Sequence, residues 1–387
     1  MQAMTRRRFM KNSAAAATLA ASGSLASVGG AGNGELLLVG TQTTGASKGI
    51  YAYSFDEATG ELKQTGLAAA TPDPTFMALA PGGKRLFAAN EVDHFAGKNG
   101  GGISGFSLDP KTGHLTEINA VSSGGTGTCH VAVDHTGRCA FVANYSGGSA
   151  ASFRIAEDGK LSEAVSFFQY TGHGPNADRQ EKAHAHRVTV SPDNRFLLIN
   201  DLGLDEIHIY KLDAKTAELT PNQPPAWKSA PGAGPRALRF HPNNKWVYCV
   251  TELTSTVVVL HWNAEQGALH EVQTVNLLPE GYKGETRACD IVFDRKGEFA
   301  YVANRDNDFM ASFTVSSTDG KLTMMERTSC GGKTPRHFTL SPNDRWLLVA
   351  NQDSNNIAVF ARDAKTGKLA DSGKTFPLEN PMCLVFA

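Results

Sequence analysis

The sequence predicts an all-β fold, a seven-bladed β-propeller whose blades are four-stranded antiparallel sheets. Three observations predict this fold: one strand motif recurs seven times, its copies lie about 52 residues apart, and no helical periodicity competes with it after Ala31. Each copy is an apolar run that closes on a small polar or acidic residue. The copies end at Thr41, Asn90, Asn144, Asn200, Glu252, Asn304 and Asn351.

The flanks of each copy define the other strands of the unit. In the last unit, a turn at residues 341–344 (SPND) precedes the motif and an alternating strand at residues 357–360 follows it. A second turn at residues 363–367 comes next, and a short strand begins at Leu369. Asp and Asn next to Gly supply the left-handed conformations that tight turns need. Four short strands per unit favour a propeller blade over the alternative, an open β-solenoid.

The two ends of the chain predict how the ring closes. Residues 381–386 (PMCLVF) read as an innermost strand without partners of its own. The unit that begins at Leu36 lacks an innermost strand. We therefore expect both ends to complete one blade, so that residues 33–387 form a single domain.

Residues 1–32 are typical of an export signal that is absent from the mature protein. The segment 5–11 (TRRRFMK) resembles the twin-arginine signal, with Met10 in place of Leu. The weakly apolar run from Ala14 to Ala21 is too short and too polar for stable membrane insertion. The N-terminus thus predicts the twin-arginine export machinery as a partner and a periplasmic or secreted location.

Composition limits the other classes of partner and cofactor. The formal net charge of −1 gives no electrostatic basis for binding nucleic acid or an anionic membrane. The six cysteines form no C-x-x-C pair, and no haem or dinucleotide-binding motif is visible, so no cofactor is expected. Because four of the cysteines lie in apolar strand patterns, we expect buried free thiols, although an oxidising compartment permits disulfides.

Alignment of the repeats places ionisable side chains at one mouth of the central channel. A slot that opens the innermost strand holds His186, Arg236 and Arg336 in three different units. The neighbouring strand is antiparallel, so its end lies beside this slot. Glu252 occupies that end in one unit, where most other units have Asn. We expect these four side chains to converge.

Other polar residues are expected around the same opening. His184 and Arg287 stand two residues before the slot in their units, and Asn144 and Asn304 end the neighbouring strand in theirs. Asn also favours turns, which gives a structural alternative for the repeated Asn. Two histidines in a His-x-His pattern share a strand face, but no Asp/Glu cluster accompanies them, so no metal site is predicted.

A pocket with several arginines, one carboxylate and imidazoles suits an anionic substrate and proton transfer. We therefore predict that the catalytic residues are His186, Arg236 and Glu252. The predicted substrate-binding residues are Arg336, Arg287, His184, Asn144 and Asn304.

Several motifs resemble a known family. Segments 232–236 (GAGPR) and 248–253 (YCVTEL) resemble the seven-bladed lactonase family, which includes bacterial propeller-type 6-phosphogluconolactonases; fungal carboxy-muconate cyclases share its fold. Segments 184–186 (HAH), 286–291 (TRACDI) and 334–336 (TPR) carry the same resemblance, which covers nearly everything after about residue 35.

The resemblance implies a carboxylic ester hydrolase whose central cleft holds a His, Arg and Glu group. Matched motif by motif, that group is His186, Arg236 and Glu252, with Arg287 as a further arginine. Two positions depart from the family pattern. Thr251 stands where Asn is frequent, and Ala237 stands where His is frequent.

The favoured function is hydrolysis of a sugar lactone. Arg236 and Arg336 would hold the anionic end of the substrate and stabilise charge on the carbonyl oxygen. Either Glu252 or His186 would be the general base, and the other would protonate the leaving alkoxide. Two alternatives are a lactonising or cycloisomerising reaction on an unsaturated diacid, and a non-catalytic propeller that binds a ligand or protein.

Overall fold

The computed structural model describes residues 34–387, which contain thirty β-strands and no α-helix. Seven antiparallel sheets of four strands each confirm the predicted seven-bladed propeller, and a two-stranded hairpin is added to them. No helix of residues 34–387 is long and apolar enough to cross a membrane. The expected export signal at residues 1–32 lies outside the described residues.

The strands, in chain order, are β1 (Glu35–Thr41), β2 (Gly49–Asp56), β3 (Glu61–Ala70), β4 (Pro74–Leu79), β5 (Arg85–Asn90), β6 (His94–Phe95), β7 (Lys98–Asn99), β8 (Gly102–Leu108), β9 (Leu115–Ser122), β10 (Thr128–Val133), β11 (Cys139–Asn144), β12 (Ser149–Arg154), β13 (Ser166–Gln169), β14 (Ala185–Val190), β15 (Phe196–Asp201), β16 (Glu206–Leu212), β17 (Leu219–Lys228), β18 (Pro235–Phe240), β19 (Trp246–Thr251), β20 (Thr256–Asn263), β21 (Ala268–Asn276), β22 (Ala288–Phe293), β23 (Phe299–Asn304), β24 (Phe309–Val315), β25 (Leu322–Ser329), β26 (Pro335–Leu340), β27 (Trp346–Asn351), β28 (Asn356–Arg362), β29 (Leu369–Pro377) and β30 (Pro381–Phe386).

The ring closes as the chain ends predict. The first sheet has the order β3-β2-β1-β30, so the last strand of the chain pairs antiparallel with the first. In each other blade the four long strands follow chain order, from the innermost strand outwards. Both chain ends therefore belong to one blade, which leaves no gap in the ring.

The core lies between neighbouring blades, because each strand alternates its side chains between the two faces of its sheet. In β1, Leu37 and Val39 pack with Leu348 and Val359 of the preceding blade. Leu38, which points to the opposite face, packs instead with residues of the following blade. All six cysteines are buried free thiols, as expected.

A β-bulge recurs near the start of every innermost strand. In each of the seven blades the pairing register shifts at the second residue of that strand or next to it. A bulge leaves one residue outside the ladder and re-aims its side chain, and bulges are frequent beside active sites. The second residues, named here the bulge ring, are Thr75, Cys129, His186, Arg236, Cys289, Arg336 and Met382.

The pairing corrects the sequence alignment by one residue in two blades. Pro235 pairs with Thr251, and Ala185 pairs with Asp201, so Thr251 and Asp201 end their strands. The sequence analysis wrongly assigned Glu252 and Asn200 to that position. The reason is that two polar residues follow one another in both units, and residue type alone does not tell which one ends the strand.

Glu252 therefore belongs to a different ring of equivalent positions, the residues that directly follow the second strand of each blade. This mouth ring consists of Gln42, Glu91, Tyr145, Leu202, Glu252, Arg305 and Gln352. Because the second strand ends beside the start of the innermost strand, the mouth ring lies next to the bulge ring.

Candidate functional site

The bulge ring surrounds a narrow space inside the channel. A cavity of about 20 Å³ is lined by six of its seven members, among them His186, Arg236 and Arg336. That volume is enough for about one water molecule. Glu91 of the mouth ring also lines it, and accepts a hydrogen bond of 2.6 Å from the Thr75 hydroxyl.

Glu252 is the centre of a buried cluster of arginines. Its carboxylate is only 2% exposed. One oxygen, Oε2, lies 2.8 Å from Nε of Arg236 and 2.6 Å from Nη2 of Arg305. The other oxygen, Oε1, lies 2.5 Å from Nη2 of Arg179. Three guanidinium groups therefore share one carboxylate.

These charges decide the protonation of the cluster. Burial alone raises the pKa of Glu252, but the nearby charges of Arg305 and Arg236 outweigh it and hold the pKa well below its ordinary value. Burial, opposed by the attraction of Glu252, lowers the pKa of Arg305 to about 10. At neutral pH Glu252 is thus an anion and Arg305 remains a cation.

His186 is held neutral in the same place. Burial, together with the positive charges of Arg236 and Arg336, lowers the pKa of the imidazole well below its ordinary value. Its ring packs edge-on against Tyr145, with 5.5 Å between the ring centroids. No side chain or backbone group of residues 34–387 hydrogen-bonds to the imidazole nitrogens. A neutral imidazole without a protein partner is able to accept a proton from water.

The Arg336 side chain of this site is not ion-paired within residues 34–387, in contrast to Arg236 and Arg305. The backbone of Arg336 is held by the Cys289 thiol, which donates to its carbonyl oxygen at 2.6 Å. A guanidinium without a carboxylate in a channel lined with charge is suited to bind an anionic group of a ligand.

His184 and Arg287 lie near the mouth of the channel, but their side chains are already hydrogen-bonded or ion-paired to other protein groups. The His184 ring stacks on Tyr145 at 4.5 Å, and its nitrogens lie 3.0 Å from the Tyr145 carbonyl and 3.2 Å from Glu181. Arg287 forms a forked ion pair with Asp306, and its side chain is 44% exposed. The geometry thus gives His184 a role in positioning Tyr145 and places Arg287 on the rim.

Asn144 and Asn304 hold turns rather than face the channel. Both residues are completely buried. The Asn144 amide donates to the Ser149 hydroxyl at 3.0 Å and accepts from the Thr128 hydroxyl at 2.8 Å. The Asn304 amide donates to the Thr286 hydroxyl at 2.7 Å. In this conformation their amides are not accessible to a ligand.

Two arginines of the site were missed by the sequence analysis. Arg305 belongs to the mouth ring, and it would have been found by extending the repeat alignment one residue beyond Asn304. Arg179 lies in the connection between β13 and β14 and also donates to the Tyr145 hydroxyl at 3.2 Å. No repeat signal marks a residue in such a connection, since the connections between blades differ in length.

Below the bulge ring the channel is closed by a second set of charged and aromatic residues. This waist consists of Phe76, His130, Arg187, Asp290 and His337. Asp290 is 2% exposed and lies 3.0 Å from Nη1 of Arg187. Within residues 34–387, no group of three or more His, Cys, Asp or Glu side chains is arranged to hold a metal ion.

Comparison with known proteins gives consistent results for sequence and structure. Residues 36–386 match the family model described as lactonase, 7-bladed beta-propeller. The 6-phosphogluconolactonase of Bacillus subtilis is 35% identical over 90% of this chain and 97% of its own length. A 6-phosphogluconolactonase of Formosa agariphila is 32% identical over 83% of this chain and 90% of its own. The structure of the periplasmic gluconolactonase of Pseudomonas aeruginosa superposes with a TM-score of 0.85 at 34% identity, covering 91% of this chain and 98% of that one.

Proposed function

The chain belongs to the lactonase family of seven-bladed β-propellers, and from this premise we propose that it hydrolyses a sugar lactone where the mouth and bulge rings meet. The observation that carries the proposal is the neutral imidazole of His186, which has no hydrogen-bond partner among residues 34–387 and lies near an arginine-bound carboxylate and the guanidinium of Arg336. This arrangement supplies a proton acceptor, an anion site and fixed positive charge within one small space.

Each residue of the site has a separate role in the reaction. His186 accepts a proton from a water molecule, whose oxygen attacks the lactone carbonyl carbon. The guanidinium group of Arg236 stabilises the negative charge that develops on the carbonyl oxygen, and the guanidinium group of Arg336 binds the anionic group of the substrate. The ring C–O bond then breaks, and the proton held by His186 passes to the leaving alkoxide, which gives the hydroxy acid. Glu252, kept ionised by three arginines, acts as the anchor that positions Arg236 and Arg305.

The test is hydrolysis of a panel of sugar lactones, phosphorylated and plain, by residues 33–387 and by the Arg336→Met variant. We expect turnover by the wild-type chain. Loss of a charged hydrogen-bond donor to the substrate anion should raise KM about 10- to 100-fold, because such bonds contribute about 1.5–3 kcal/mol. The rise should be larger for phosphorylated lactones if Arg336 binds the phosphate.

The matched control is Arg345→Met, because Arg345 is an exposed arginine in a surface turn and its replacement should leave KM unchanged. Absence of turnover on every lactone by a folded wild-type chain would overturn the proposal. Turnover of an unsaturated diacid instead would favour the cycloisomerase alternative.

We also propose that residues 1–32 are a twin-arginine signal and that residues 33–387 are the mature periplasmic domain. The periplasmic location stated for the Pseudomonas aeruginosa relative supports this location. Changing Arg6 and Arg7 together to Lys is expected to abolish export, so that the protein remains in the cytoplasmic fraction. The Arg8→Lys control, which alters the variable position of the motif, should be exported normally. Equal export of both variants would refute the twin-arginine route.

A further inference from the structure

The other end of the channel opens into a wide funnel. The funnel is a cavity of about 600 Å³, and its wall is formed by the ends of the innermost strands. Its apolar wall residues include Leu79, Val133, Val190, Phe240, Leu340 and Phe386. The volume is within the usual range for small-molecule sites, about 300–1,000 Å³. It is far larger than the space of about 20 Å³ inside the bulge ring.

The floor of the funnel is the charged waist. Phe76, His130, Arg187 and His337 line both the funnel and the smaller space above, so they separate the two. The Phe76 ring packs against His130 at 4.0 Å, and the Arg187 guanidinium lies 5.6 Å from the centre of the same ring. A ligand in the funnel would therefore meet this layer and not the catalytic cluster.

The floor carries more positive than negative charge. Asp290 forms an ion pair with Arg187 at 3.0 Å, and it lies 3.9 Å from Nη2 of Arg239. Two guanidinium groups thus face a single carboxylate. Arg239 lines the funnel, and its Nε is buried without a hydrogen-bond partner among residues 34–387.

One imidazole also has an unused donor there. His130 is only 5% exposed, and its Nδ1 accepts a hydrogen bond of 3.4 Å from the backbone N–H of Val188. That bond leaves the proton of the neutral ring on Nε2, which is buried and has no partner among the described residues. Because Nε2 is fully buried, it is not exposed to the open space of the funnel, and the imidazole forms part of the floor.

We propose that the funnel is a second binding site, for a small monocarboxylic acid with an apolar body. The carboxylate would accept hydrogen bonds from the terminal Nη groups of Arg239, whose side chain is 36% exposed. The apolar body would lie against the wall residues such as Leu79, Phe240 and Phe386. The single excess positive charge of the floor matches a monoanion.

The test is isothermal titration of residues 33–387 with 3-phenylpropionate and with its uncharged amide, 3-phenylpropionamide. We expect the acid to bind about tenfold or more tightly than the amide, because the amide lacks the charge that Arg239 recognises. The Arg239→Met variant should weaken binding of the acid by a similar factor. The Val385→Trp variant, which narrows the funnel and keeps its charges, should weaken it as well.

Two variants distinguish this site from the catalytic one. Arg336→Met removes the free guanidinium of the bulge ring and should leave binding of 3-phenylpropionate unchanged, as should the exposed control Arg345→Met. Binding measured in this way does not depend on any lactonase turnover. Equal affinity for acid and amide, no binding of the acid, or loss of binding in Arg336→Met but not in Arg239→Met would each overturn the proposal.

Discussion

Replacement of His186 with Gln is expected to lower kcat for lactone hydrolysis by about 10²- to 10⁴-fold, the usual contribution of a general base. Gln retains hydrogen-bonding groups of similar reach but does not accept a proton from water at neutral pH. Initial rates at saturating lactone, corrected for spontaneous hydrolysis, measure the effect. Partial recovery of the rate by added imidazole in a His186→Ala variant, which leaves room for the free ring, would identify the missing function as proton transfer.

The control for this experiment is His270→Gln, since His270 is exposed on the outer strand β21 and should have no effect. A His186→Gln variant that folds normally and retains wild-type kcat would remove His186 from the mechanism. The general base would then have to be sought among the carboxylates of the mouth ring, Glu91 and Glu252.

The pH profile provides an independent check on His186. Because the pKa of His186 is well below its ordinary value, its basic form persists as pH falls from 8 to about 6. We therefore expect a flat kcat/KM over that range, because kcat/KM reports ionisation of the free enzyme, whereas a histidine with an ordinary pKa of about 6.5 would give an inflection within it. The low pKa of His186 in the folded chain also makes the stability of the protein depend on pH. The unfolded chain takes up a proton near pH 6.5 and the folded chain does not, so stability is lost as pH falls below about 6.5.

The fold was predictable from the sequence because the repeat recurs in every blade. The seven apolar motifs each correspond to the second strand of a blade, and the apolar C-terminal segment corresponds to the innermost strand that completes the first one. These features depend on local patterns of apolar residues and turns, which the sequence displays directly.

The site was less predictable, because its details depend on register and on contacts between blades. The bulge ring was found as a repeated position, but the shift between Thr251 and Glu252 required the pairing of Pro235. Arg179 reaches Glu252 from a connection more than seventy positions away in sequence, at 2.5 Å. A contact of that kind has no periodic signal, so only the folded chain reveals it.

Replacement of Glu252 with Gln is expected to destabilise the protein by about 3–5 kcal/mol, because it leaves buried guanidinium groups without their carboxylate. Arg236 and Arg305 are only 6% exposed each, so water cannot replace the lost charge efficiently. Activity should fall together with stability, since mutual repulsion among the arginines would displace Arg236 from its position beside His186. Urea unfolding at pH 7 measures the first effect, and kcat of the folded fraction measures the second.

The dependence on pH separates this explanation from a simple loss of packing. The pKa of Glu252 is lowered in the folded chain, so its contribution to stability is present above the unfolded pKa of about 4.3 and is lost as pH falls below it. The difference in unfolding free energy between wild type and Glu252→Gln should therefore shrink between pH 7 and pH 3. A difference that stays constant over that range would mean that Glu252 acts through its shape alone. The exposed Glu265→Gln variant should match the wild type at every pH. If both expectations hold, the carboxylate serves as the counter-charge that allows several arginines to lie next to a neutral base.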